Sequence, residues 1–179
     1  MTAILFDTFL LLFVVIDPVG LAPMFVGLTP GESAANRRRI AVRGTVLAGV
    51  VLVTFALVGE ALLAALRISL PAFRIAGGLL LFLLAIDMVF ARHSGVRGPT
   101  HREQVEAEQK RDISVFPLAI PLIAGPGAIT TILLATSRGG DSAATLGAVL
   151  AMLVVVLLLA LAALLAATRL TRILGETGT

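Results

Sequence analysis

An apolar run from about Ile4 to Leu28 is interrupted at its centre by Asp17-Pro18-Val19-Gly20, and again by Pro23. The run is long enough to cross a bilayer, because ~20 apolar residues span a ~30 Å hydrocarbon core. Its centre is nonetheless ill suited to lipid. Pro18 has no backbone N–H, so the carbonyl near Val14 loses its partner. Asp17 adds a carboxylate that costs about 2.5–3.5 kcal/mol at mid-membrane on insertion scales. Such a break is tolerated only where it faces protein or a wet cavity.

A second stretch, Pro117-Leu118-Ala119-Ile120-Pro121-Leu122-Ile123-Ala124-Gly125-Pro126-Gly127-Ala128-Ile129-Thr130-Thr131, is equally apolar and equally broken. Two interrupted apolar segments in corresponding halves of a chain are the best sequence pointer to a transporter binding site.

Composition sets the class around this pair. The chain is 58% hydrophobic over 179 residues, with a mean hydropathy of +1.04. Several continuous apolar runs predict an all-α, polytopic transmembrane bundle. A membrane barrel would need alternation instead. Cysteine is absent, which excludes disulfides and thiolate metal sites. No basic n-region or small-residue cleavage site precedes Asp17, so the first helix is expected to remain in the mature protein.

Five spans are expected: about Ile4–Leu28, Gly44–Leu66, Ala72–Ala91, Ile113–Ser137 and Ala143–Thr168. Thr29–Ser33 reads as a turn and Ala34–Arg43 as a short basic amphipathic lead-in to the second span. Residues 1–179 form a single transmembrane domain: a first repeat over about 1–91, a polar loop over 92–112, and an incomplete second repeat over about 113–179. Eleven basic residues fall on one side of this topology and three on the other. The bias places the N-terminus outside and the basic loops inside. It accounts for the net charge of +3 without a nucleic-acid partner. Broken spans one and four then enter from opposite faces, which is the geometry of an inverted 3+3 repeat.

The chain resembles the MarC family of integral membrane proteins. The resemblance rests on Asp17-Pro18-Val19-Gly20 with Pro23 and Phe25, on Ala76-Gly77-Gly78, and on Pro117 to Pro121 running into Ala124 to Thr131. It covers nearly the whole chain in order. It implies a multi-pass, six-helix protein of the bacterial inner (plasma) membrane, grouped with LysE-type exporters of small solutes. The family continues into another apolar helix after Leu170 to Gly175, where this sequence does not. A homodimer or a partner subunit would complete such a bundle.

Asp17 is the sharpest candidate for meeting an ion, a proton or a substrate ammonium; its bland alternative is an N-cap on the half-helix that starts at Pro18. Pro18, Gly20, Pro23, Gly125, Pro126 and Gly127 are candidates for exposing backbone groups to a cavity. Small residues also serve close helix packing in lipid. Thr130 and Thr131 would add hydroxyls to the same cavity, or bond a carbonyl one turn back. Glu60 and Asp87 lie near helix ends and are expected to pair with Arg67 and Arg92 at the interfaces, where Arg74 also falls. His93, His101, Glu103, Glu106 and Glu108 share the polar loop, but their spacing matches no familiar ligand set. Neither a metal nor a cofactor is expected. Glu106 and Lys110 suit an exposed i,i+4 pair, and Arg37 to Arg39 suit anionic headgroups.

The expected function is a secondary transporter or exporter of a small polar solute or ion. The alternative is a non-transporting membrane subunit or channel component. An intramembrane enzyme is not expected: Asp17 and Asp87 lie at different depths, too far apart to share a proton, and both histidines lie in the loop.

Overall fold

A computed structural model describes residues 2–89, 112–137 and 142–175. The loop candidates from Arg92 to Lys110 and the turn Arg138–Asp141 lie outside these residues, as does the side chain of Asp87. Every regular element among the described residues is helical. The order is α1 (Thr2–Ile16), α2 (Pro18–Leu28), α3 (Ala34–Ala65) and α4 (Leu70–Val89), then an irregularly wound segment (Ser114–Ile123), α5 (Pro126–Ser137) and α6 (Ala143–Gly175).

Among the described residues, three units are long and apolar enough to cross a membrane: Ile4–Leu28, Ala34–Ala65 and Ala143–Arg169. A fourth is the pair Ser114–Ile123 and Pro126–Ser137, bent by 52°. The sequence suggested five crossings; α4 contributes a shorter apolar helix, Leu70–Leu83. The basic lead-in Ala34–Arg43 is not a separate element either. It winds continuously into α3, started by Ser33, whose hydroxyl accepts the Asn36 N–H at 3.2 Å. Ser at this position satisfies one of the orphan donors of a helix start, and nothing between Ala34 and Gly44 breaks the ladder. α3 ends at Leu66 with Arg67 in the left-handed region (φ 56°), and the Ile68 N–H closes on the Leu63 carbonyl at 2.9 Å.

α6 is the spine of the bundle, packed by α1, α2 and α3. Its buried positions Val149, Leu153, Val156, Ala160 and Leu164 recur at three- and four-residue spacing, one stripe of a helix. α3 presents a similar stripe, Ala41, Ala48, Leu52 and Ala56. These stripes join Leu12, Ile16 and Phe25 from the first span, and Leu118, Ile123 and Ile132 from the bent one, in a single core. Between helices that lipid does not press together, close approach of small residues does the joining. A methyl group on Gly44 would stand 2.6 Å from Leu118 Cδ2, and one on Gly77 would overlap Thr130 Cγ2. Large apolar side chains such as Val46, Ile75, Phe82 and Leu158 point outward, as a lipid-facing surface requires.

Candidate functional site

The first break is one residue long. Asp17 sits between α1 and α2 at φ 50°, ψ 70°, a left-handed conformation that a short polar side chain tolerates better than most. The backbone ladder continues on either side: the Asp17 N–H bonds the Phe13 carbonyl at 2.9 Å, and the Leu21 N–H bonds the Asp17 carbonyl at 3.0 Å. The carboxylate reaches forward over the first turn of α2, and its Oδ1 accepts the Gly20 N–H at 3.0 Å. Gly20 is what makes room for this turn, because a Cβ there would collide with Oδ2. Asp17 therefore caps α2 as an N-cap with proline in the first turn. It is half-buried. The other end of α2 is closed by a different helix. The Arg37 guanidinium of α3 donates to the Thr29 carbonyl from Nη2 at 2.8 Å and from Nε at 3.2 Å. A cation there complements the negative end of the α2 dipole.

The second break is longer. Ser114–Ile123 winds with wide i→i+5 closures, the Leu118 N–H to the Ile113 carbonyl at 3.3 Å and the Ala124 N–H to the Ala119 carbonyl at 2.8 Å. Phe116 and Ile120 are extended, and each precedes a proline in a cis peptide bond. The chain then turns at Gly125, where a Cβ would collide with the Pro121 carbonyl oxygen, and α5 begins at Pro126. Gly127 and Ala128, the next two residues, are buried. The first N–H groups of a helix have no acceptor within it and carry the positive end of its dipole. In α5 those groups belong to the buried Gly127 and Ala128.

The sequence-derived candidates divide on this geometry. Asp17, Gly20 and Gly125 are half-buried at the breaks, Pro18 and Gly127 are buried beside them, and Pro23 and Pro126 are exposed. Thr131 donates its hydroxyl to the Gly127 carbonyl one turn back, at 2.8 Å. Thr130 is buried with its methyl group toward Gly77. α1 packs on α5, so the two broken spans are neighbours, while Ser114–Ile123 itself lies along α3. Glu60, Arg67 and Arg74 are all exposed.

The family description "MarC family integral membrane protein" fits residues 2–179. The chain belongs to the MarC family. Among its curated relatives, the UPF0056 membrane protein YvbG of Bacillus subtilis is 38% identical over 133 residues, 74% of this chain and 63% of its own length. A UPF0056 membrane protein of Archaeoglobus fulgidus is 34% identical over 97% of this chain and 80% of its own. YhcE of Escherichia coli is 33% identical over 74% of this chain and 61% of its own. The chain thus spans under two thirds of the length of the Bacillus relative. No solved structure matches it.

Two features of this MarC protein escaped the sequence reading. Asp112, the end of the polar loop, holds Arg43 of α3 in an ion pair at 2.6 Å and accepts the Ser114 hydroxyl. The pair thereby pins the start of the second broken segment to α3. Its signal was weak, because nothing in the sequence aligns residue 43 with residue 112. Thr45 is the other. It is buried on the α3 stripe, and its hydroxyl is without a hydrogen-bond partner among the described residues. A lone Thr on a stripe of Ala and Leu was the available signal.

Proposed function

We propose that the chain is a multi-pass inner-membrane secondary transporter or exporter of a small polar solute, with its binding site at the two broken spans. The observation that carries this reading is Asp17: an ionisable, left-handed, half-buried residue placed midway along an apolar span of 25 residues. A carboxylate at that depth is costly and is retained where it meets an ion, a proton or a solute. Buried Gly127 and Ala128 in the first turn of α5 support the same reading from the second span, since half-helix N-termini at bundle depth attract anionic groups. Membership of the MarC family places the chain in a bilayer, and an inverted repeat with the N-terminus outside is the topology that lets both breaks reach one cavity.

The test is flux of a panel of labelled small solutes into proteoliposomes, comparing the parent chain with Asp17→Asn and Gly127→Leu. Asn keeps a capping oxygen and removes the charge; Leu adds a bulky side chain at a buried glycine in the first turn of α5. Loss of flux in both is expected. Unchanged flux in both would remove this site from the mechanism.

A further inference from the structure

We propose that the first three turns of α3 bind one anionic phospholipid, with Arg38, Arg39 and Arg43 around its phosphate and Val46 under an acyl chain. This inference is independent of the transport reading. These residues, with Ala35 and Val42, line a shallow groove of about 530 Å³. Their spacing of three and four residues puts them on one face of the helix. Arg37, the fourth of the cluster, is turned elsewhere, onto the Thr29 carbonyl.

Three features of this face select the occupant. The first is charge. Arg38 and Arg39 are exposed, and neither has an acidic partner among the described residues. Arg43 is 58% exposed and meets Asp112 through Nη1. Arginine carries five donors in a fixed fork that matches a phosphate, so Arg43 has capacity beyond that contact. Arginines close to a helix N-terminus also oppose its dipole, and an anion between them reverses the sign of that interaction.

The second is depth. α3 has 32 residues, about 48 Å at ~1.5 Å per residue. That exceeds the ~30 Å hydrocarbon core by enough to carry its first turns through the headgroup layer. Gly44 opens the continuous apolar part, so Arg38, Arg39 and Arg43 fall at headgroup level and Val46 just beneath it.

The third is the apolar track. Below the arginines, Val46 and Val50 are each 59% exposed and Leu57 is 58% exposed, in line with Val42. A free phosphate would satisfy the guanidinium groups and leave this track bare. A phospholipid covers both.

The chain has no Trp and no Tyr, so a single Trp is an unambiguous reporter. Val46→Trp protein is placed in phosphatidylcholine vesicles containing either brominated phosphatidylglycerol or brominated phosphatidylcholine at equal mole fraction. The expected result is a relative binding constant about fivefold or more in favour of the anionic lipid, the selectivity of at least one basic group near the surface. Adding Arg38→Gln, Arg39→Gln and Arg43→Gln brings the two lipids to parity. Leu158→Trp, on the outward face of α6, reports insertion of every variant and shows no preference. Equal quenching of Val46→Trp by both lipids overturns the proposal, as does a preference that survives the triple substitution. Shielding of Val46→Trp from both lipids would assign the face to a second copy of the chain. Loss of the preference on adding inorganic phosphate, but not equal ionic strength of chloride, would assign the groove to free phosphate.

Discussion

Gly20 and Asp17 occupy one another's space: the carboxylate of Asp17 lies where a side chain at residue 20 would be, and its Oδ1 accepts the Gly20 N–H at 3.0 Å. Gly20→Ala is expected to expel the carboxylate and unseat the cap. The loss in thermal unfolding in detergent should be about 1 kcal/mol, the worth of a typical N-cap. Asp17→Ala should cost a similar amount. Asp17→Asn, which keeps a capping oxygen, should be stable within about 0.5 kcal/mol. A destabilised Asp17→Asn would show that the charge, rather than the cap, holds the break.

Gly44 approaches Leu118 so closely that an added methyl group would stand 2.6 Å from Leu118 Cδ2 and 3.1 Å from the Ser114 carbonyl oxygen. Gly44→Ala is expected to destabilise by about 1–3 kcal/mol through overpacking. Leu118→Ala on top of it should recover part of that loss. A double-mutant cycle measures the coupling, and strict additivity would mean that the two residues do not share space.

The Arg43–Asp112 pair is 2.6 Å long, yet its side chains are 58% and 38% exposed. Asp112→Asn should therefore cost no more than about 1 kcal/mol, less at high salt. A larger, salt-insensitive loss would show that the pair is shielded from solvent in the folded protein.

Thr45 carries a buried hydroxyl without a partner among the described residues. Thr45→Val keeps the shape and removes the polar group. It should be neutral or stabilising by up to about 1 kcal/mol in the unfolding assay. Destabilisation would reveal that the hydroxyl is bonded by water or by a bound molecule.

The parts of this fold that were legible in the sequence are those decided locally. Apolar length gives the helices, and Pro and Gly break them where they stand, so Asp17-Pro18 and Gly125-Pro126 could be located residue by residue. The manner of breaking was not legible. At Asp17 a single left-handed residue suffices and the ladder resumes at once, whereas two prolines four apart keep Ser114–Ile123 from forming an ordinary helix at all. The separate lead-in before Gly44 was an error of weighting: charge in Ala34–Arg43 signals depth in the membrane, and it does not end a helix. Contacts between distant residues stayed hidden, because Gly44 reads the same whether it meets Leu118 or lipid. At the candidate site, the hydroxyls of Thr131 and Thr130 illustrate the same limit. Composition names a hydroxyl, and only the helix geometry shows that Thr131 spends its own on Gly127.

A solute-binding site at the two broken spans requires that water reach both breaks inside the membrane. The chain has no cysteine, so Ala22→Cys and Ile129→Cys, half-buried on the far side of each break, are clean reporters. Their labelling by a charged, membrane-impermeant thiol reagent is compared with that of Leu158→Cys, which faces outward on α6. Both break positions should react at least about tenfold faster than the control, since a thiol in lipid stays protonated and unreactive. Labelling as slow as that of Leu158→Cys at both positions would contradict the account.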